Sequence, residues 1–333
     1  MTLDLVVMTS DHDSLDSIVD IAQRAENHGF ARVSAGETTG RDMVTTFTVV
    51  AERTDSIGVS TDVLSPFGRA PTVLAQTALT MHEATGGRFR LGLGTSSPAI
   101  AERWHGAEFD RPLRRLRETI DIIREVYEGG RVSYDGEIFE LGGLGYEGTP
   151  PETPPGIDVA ALGPKATELA GRFADGWVPQ LFTHDGLRTR MEDLERGAEL
   201  GDRTLEDVRV APLVRCCALE ERETARAKTR SMVAFLIGAY GPFYGNSVAE
   251  QGYEDVVDEI RAAWEDDCDT EAMAAALPDS LLDSLAAAGT PEEVRDRVEA
   301  FQAIDGVDAV RVGFVKGMTD EEKESTLAAL SGL

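Results

Sequence analysis

The sequence predicts an α/β protein of the (βα)8 TIM-barrel class, and three observations carry that reading. Apolar, β-rich runs alternate with amphipathic helical stretches, which is the sequence form of a parallel sheet with crossover helices. Eight strand–helix units fit a closed barrel better than a doubly wound sheet. The length of 333 residues suits a barrel of ~250 residues with insertions.

The first unit is a strand over Leu3–Met8 and a helix over Leu15–His28, ended by Gly29. Ala31–Ser34 with Met43–Arg53 forms the second, and Ile57–Val63 with Pro71–Ala84 the third, Pro71 standing at a helix start. Arg88–Gly94 is the fourth strand and Asp110–Glu128 its helix. Within Arg131–Leu141 an Asp135-Gly136 turn between β-formers predicts a hairpin, followed by a loop over Gly142–Gly156. Ile157–Leu162 with Pro164–Ala174, and Gly176–Gln180 with His184–Leu200, supply units five and six. Val208–Ala218 is the seventh strand, followed by a long helical region, Glu220–Ala288. Pro291–Ile304, the eighth strand Ala309–Phe314 and a helix over Thr319–Leu330 complete the chain. One domain over 1–333 is expected, with insertions at about 131–156 and 241–288, after strands four and seven.

Composition narrows the function. Sixty acidic residues against 32 basic ones give a formal charge of −28, which repels nucleic acid and anionic membrane. The acids are spread along the chain, and only four lysines occur, Lys165, Lys228, Lys316 and Lys323. A carboxylate-rich, lysine-poor surface suits concentrated salt, where repulsion is screened, so halophilic adaptation is expected. No apolar run approaches the ~20 residues of a membrane span, and the start, Met1–Met8, reads as a strand, so a cytoplasmic protein is expected. Cys216, Cys217 and Cys268 have neither disulfide-framework nor zinc spacing and read as small buried side chains; no metal site is expected.

In such barrels the active site lies at the C-terminal ends of the strands. That rule nominates Met8–Asp11, Ala35–Thr39, Asp62–Ser65, Thr95–Pro98, Ala161–Lys165, Pro179–Thr183, Cys216–Leu219 and Phe314–Gly317. The segment Ala161, Leu162, Gly163, Pro164, Lys165 has the form of a phosphate site. Gly163 permits close backbone approach, Pro164 opens a helix whose free N–H groups face the loop, and Lys165 adds a cation. A tight βα turn needs the same Gly and Pro, so the residues alone leave both readings open. Asp11 and His12, at the mouth of the first strand, are candidates for substrate binding or are solvated loop residues. Trp104 and His105 read as packing at the pocket edge, and Phe243, Tyr244 and Tyr253 as filling the second insertion.

Four ordered blocks carry a family resemblance. Thr85-Gly86-Gly87-Arg88-Phe89-Arg90-Leu91-Gly92-Leu93-Gly94 resembles the "S/T-G-G-R-x-x-L-G-x-G" segment of luciferase-like enzymes. Ser65-Pro66-Phe67-Gly68-Arg69-Ala70-Pro71 resembles their "N-P-Y-x-R-x-P". Ala161–Ala166 with Ala174-Asp175-Gly176, and Gly289–Val294, resemble two further family segments. The pattern is most similar to coenzyme F420-dependent members, the methylene-tetrahydromethanopterin reductases in particular, and includes the paired Cys216-Cys217 of their seventh strand.

The resemblance implies a bacterial-luciferase-type barrel that holds coenzyme F420, or alternatively FMN, with the phosphate near Ala161–Lys165. It implies cofactor contacts from Asp62, Val63, Ser65, Thr95, Ser96 and Ser97, and a non-prolyl cis peptide at Asp62–Val63 behind the ring. It also implies a homodimer or higher homo-oligomer. Departures are informative: Gly36-Glu37 stands where the family usually has a polar pair, and Val7 and Ser97 replace two carboxylates of the reductases. Glu37 is therefore the candidate catalytic proton donor, against its reading as a solvated loop acid. The function expected is hydride transfer between F420 and a small organic substrate, best matched by a methylene-tetrahydropterin or methylene-tetrahydrofolate. An FMN-dependent monooxygenase and a non-catalytic cofactor carrier are the alternatives.

Overall fold

The computed structural model describes residues 1–333. The barrel ring runs β1 (Thr2–Val6), β2 (Arg32–Ala35), β3 (Gly58–Thr61) and β4 (Phe89–Leu93). It continues through β7 (Ile157–Val159), β8 (Gly176–Trp177), β9 (Arg209–Val210), β10 (Leu213–Ala218) and β12 (Ala309–Phe314). Every pairing in the ring is parallel. The expected seventh strand is interrupted at Ala211-Pro212, where proline has no N–H to donate to the ladder. Its first half, β9, pairs with β8 and its second half, β10, with β12, and these pairings close the ring.

Helices wrap the ring because their apolar positions recur at helical spacing. In α1 (Leu15–Asn27), Ile18, Ile21, Ala22 and Ala25 share the buried face. Ser14 caps its start by accepting the Ser17 N–H at 3.1 Å, and Gly29, at φ +84°, turns the chain out. Then come α2 (Met43–Glu52), α3 (Pro71–Ala84), a short α4 (Pro98–Arg103) that the sequence reading lacks, and α5 (Pro112–Glu128). The last of these starts two residues later than expected because Arg111 is left-handed at φ +41°. α6 (Pro164–Phe173) and α7 (His184–Glu199) complete this side.

The first insertion is an antiparallel hairpin, β5 (Arg131–Asp135) with β6 (Glu140–Gly145). β6 extends into the glycine-rich stretch expected to be loop. The buried Glu118 carboxylate holds the turn, accepting the N–H groups of Glu137, Ile138 and Phe139 at 2.9, 3.0 and 3.1 Å. The expected long helical region is α8 (Arg222–Gly238), α9 (Pro242–Val248), a five-residue wide turn, α10 (Glu254–Glu265), α11 (Thr270–Ala276) and α12 (Asp279–Leu285). Its end is a correction. Ala286–Gly289 is a strand, β11, parallel to β10, because pairing on that open edge overrides the helix propensity of three alanines. α13 (Pro291–Gln302) and α14 (Asp320–Leu330) follow, each with a complete capping box.

Sixty-six buried residues form the core between ring and helices, and 14 form a second core under the 241–288 insertion. Inside the ring the side chains are small or charged. Val178, Ala211 and Ala309 fill the middle, with Val63 and Ala160 beside them. At the N-terminal end of the ring Asp4 pairs with Arg209, and Asp158 takes both arms of Arg90 at 2.6 and 2.9 Å. No helix is long and apolar enough to cross a membrane. Cys216 and Cys217 are buried as expected, with burial pushing the Cys217 thiol up to about 11, whereas Cys268 is exposed.

Candidate active site

The third strand ends in a shelf at the barrel mouth. The Asp62–Val63 peptide is cis, as the resemblance implies. Glycines make room for it. A Cβ at position 36 would stand 2.7 Å from the Asp62 carbonyl oxygen, and one at position 94 would stand 2.5 Å from Val63 Cγ2. At Gly92 a Cβ would collide with the Thr61 carbonyl at 1.9 Å. Gly36, the departure noted in the sequence, is therefore a packing requirement of the shelf.

The shelf is fixed from across the ring. Arg311 of β12 donates to Asp62 Oδ2 at 2.5 Å, to the Ala211 carbonyl at 2.8 Å and to the Pro179 carbonyl at 3.1 Å. The sequence reading missed Arg311. The alternation Ala309-Val310-Arg311-Val312-Gly313 was its only signal, since it puts Arg311 on the face opposite the valines.

Glu37 lies at the end of β2, partly buried. Arg69 donates to its two carboxylate oxygens at 2.9 and 3.0 Å and also pairs with Asp42. Burial raises the Asp42 carboxyl, but hydrogen bonds from Thr45 and Arg69 outweigh it and hold Asp42 below the usual carboxylate range. One cation thus serves two carboxylates. Arg41, nearby, donates to the carbonyls of Thr9 and His12, each at 2.8 Å, and pins the loop after β1.

The other expected site residues divide. Asp11 is half-buried at the mouth, but the His12 ring is buried. Burial first, and the Lys323 charge next, lower the His12 pKa. Val7 is buried in the main core. Thr95, Ser96 and Ser97 are half-exposed above β4; Ser96 is left-handed at φ +61°, and the Ser97 hydroxyl caps α4 by accepting the Ile100 N–H at 3.4 Å. Ser65 accepts the Phe67 N–H at 3.2 Å, and Phe67 stacks on Phe109. Trp104 is exposed, and His105 packs over Gly68.

The segment after β7 keeps the form expected of an anion site. Gly163 caps α6 without a side-chain bond, a Cβ there would meet nothing, and Lys165 is exposed with no ion-pair partner. The first N–H groups of such a helix have no intrahelical acceptor. Ala161 is buried, its carbonyl accepting Trp177 Nε1–H at 3.0 Å, while Leu162 is half-buried and Pro164 exposed. A glycine-lined shelf at one side of the mouth and an open helix N-terminus at another suit a planar ring with a phosphate-bearing tail.

Tyr244, Tyr253 and Phe243 belong to the insertion. Tyr244 and Tyr253 pack on its core, and Phe243 is exposed. A concavity of about 650 Å³ lies beside the mouth between α7 and this insertion; of the strand-end segments it includes only Thr183.

Known proteins share the sequence family and the fold. The model of the luciferase-like monooxygenase family matches residues 3–308. A protein named as a coenzyme F420-dependent oxidoreductase of Mycobacterium tuberculosis is 31% identical over 302 residues, 85% of this chain and 87% of that protein. The 5,10-methylenetetrahydromethanopterin reductase of Archaeoglobus fulgidus is 28% identical over 263 residues, 78% of this chain and 77% of its own length. The solved coenzyme F420-dependent tetrahydromethanopterin reductase of Methanopyrus kandleri superposes with a TM-score of 0.82 at 19% identity, covering 99% of this chain and 97% of that one. By the match over most of its length, the chain belongs to the luciferase-like family and is one of its enzymes.

Proposed function

We propose that this enzyme is a coenzyme F420-dependent oxidoreductase acting at the barrel mouth on a small organic substrate, a methylene-tetrahydropterin or methylene-tetrahydrofolate. The observation that carries the reading is the glycine-backed shelf at Asp62–Val63, held by Arg311. The names of the relatives reported above support the choice of F420 over FMN.

The bound deazaflavin would supply or accept the hydride. The chain's own work is to orient and to move one proton. Asp62 and Val63 would back the ring, and Ala161, Leu162, Gly163, Pro164 and Lys165 would hold the phosphate through helix N–H groups and one ammonium. Thr95, Ser96 and Ser65 supply hydroxyls at the rim, and Asp11 a carboxylate on the substrate side. His12 would act there only by supporting the loop that carries Asp11. Glu37, at the end of β2 and paired with Arg69, is the carboxylate we assign to proton transfer.

Titration with F420 and, separately, FMN in molar KCl, followed by tryptophan fluorescence, tests the reading. Tight F420 binding with weak FMN binding is expected. Preference for FMN would replace it with the monooxygenase alternative, and F420 binding without hydride exchange toward any substrate would make the chain a carrier.

A further inference from the structure

A second arginine stands in the barrel mouth with nothing to neutralise it. Arg215, on β10, is only 8% exposed. Its guanidinium lies over the inward face of Gly313, where a Cβ would come within 2.9 Å of Nη1. Nη1 donates to the Phe314 carbonyl and Nη2 to Gln180 Oε1, both at a long 3.3 Å, and Nε has no protein acceptor. Phe314 and Gln180 are at strand ends, so the group sits at the level where family members work. Five N–H donors and two weak bonds leave three donors unused.

The charge balance sharpens the point. The groups that sense Arg215 are the Tyr244 phenol, the Asp62 carboxylate, the Arg311 guanidinium and the Cys216 thiol. Asp62 is already committed to Arg311, and the thiol and phenol stay neutral, burial raising both. The mouth therefore holds one uncompensated buried cation in a chain of net charge −28. A buried unpaired charge is costly, and such charges are normally matched by a counter-charge. Here the protein supplies none.

We propose that Arg215, with Gln180 and Tyr244 beside it, is an anion-recognition subsite inside the mouth, taking a carboxylate or equivalent anionic oxygen of the molecule that enters. The fork of a guanidinium suits a carboxylate in two-point contact. Two molecules can bring such an oxygen: the substrate, through an acidic group, or the cofactor, through its pyrimidine oxygens. This deepens the proposed function and rests on it for which of the two is present.

Melting curves at constant ionic strength with benzoate and with benzamide test the subsite directly. Benzoate should raise the melting temperature saturably and benzamide should not. Arg215→Gln should weaken benzoate about 10- to 100-fold. Equal responses to both compounds, or full benzoate affinity in the variant, would overturn the proposal. If the Gln variant does not fold, Arg215→Lys keeps the charge without the fork and should lose benzoate affinity several-fold; unchanged affinity counts against the subsite. Repeating the titration with saturating F420 separates the sources. A lost benzoate response assigns Arg215 to the cofactor's oxygens, and a retained one assigns it to substrate. Failure of F420 to bind would reject the proposed function while leaving the benzoate result to judge Arg215 alone.

Discussion

Replacing Arg311 with methionine should destabilise the protein by about 3–5 kcal/mol, the scale for breaking a buried ion pair from one side. The structure shows where that cost arises. Asp62 and Arg311 are 11% and 5% exposed at their side chains, so water cannot take over the abandoned carboxylate. The Ala211 and Pro179 carbonyls lose their Arg311 donors in the same step. Arg215 forms no ion pair with Asp62 and offsets only part of the lost attraction. Methionine preserves most of the volume, so cavity formation adds little. Urea unfolding in molar KCl, with the slope unchanged, measures the loss. The Asp62→Asn, Arg311→Met double variant removes the stranded charge and should recover roughly half of it. A single-variant loss below ~1 kcal/mol, or a double variant no more stable than the single one, would refute the claim that this pair holds the shelf.

Four other outcomes are expected. Lys165→Ala should weaken a phosphate-bearing cofactor by roughly 1 kcal/mol, the low end for an exposed cation, and leave a phosphate-free deazaflavin unaffected; equal losses for both ligands would remove Lys165 from the phosphate site. Glu37→Gln should lower turnover ~10²–10⁴-fold with cofactor affinity nearly unchanged, and near-normal turnover would move proton transfer to Asp11 or a bound water. Melting temperature should climb steeply from low to molar KCl if the acidic surface is halophilic, and a flat or falling profile in scanning calorimetry would exclude that. Burial lowers His12 and His184 below the ordinary value of 6.5, so the unfolded chain binds more protons below that pH. Their contribution is present above 6.5 and is lost as pH falls through the folded values, at up to ~1.4 kcal/mol per pH unit for each ring. The His12→Asn, His184→Asn variant should flatten that limb of the stability curve; an unaltered limb would place the acid sensitivity elsewhere.

What the sequence disclosed follows from how local each signal is. Strand and helix alternation rests on periodicities of two and 3.6 residues, so the ring and its wrapping helices were readable. β11 was not, because Ala286-Ala287-Ala288 favours helix until β10 offers an edge to pair with. Among the candidate site residues, Gly163–Lys165 were nominated by a contiguous Gly-Pro-Lys at a strand end, a local pattern. The Arg311–Asp62 pair spans 249 residues of sequence and the Arg69–Glu37 pair 32. Contacts at such separations leave no pattern in one sequence. Gly36 is the instructive case. It read as a departure from the family's polar pair, yet its missing Cβ is what lets the Asp62 carbonyl approach.

The distribution of charge has a consequence for binding. Carboxylates cover the outside of a chain with a formal charge of −28, while the mouth carries the uncompensated cation of Arg215 and the rim carries Lys165. Salt acts unequally on these two fields. Exposed charges are screened within a Debye length of ~3 Å at molar ionic strength, whereas a buried guanidinium interacting with a desolvated ligand oxygen is screened much less. At low salt an anionic ligand meets long-range repulsion before it can reach the mouth. At high salt that repulsion collapses while the short-range attraction inside persists. For most protein–anion pairs, which rely on exposed cations, added salt weakens association. Here the association rate of an anionic ligand should rise with KCl, and the dissociation rate, set inside the mouth, should respond far less. Stopped-flow binding across a KCl series separates the two rates, and an association rate that falls with salt would show that exposed cations, not the acidic surface, govern approach.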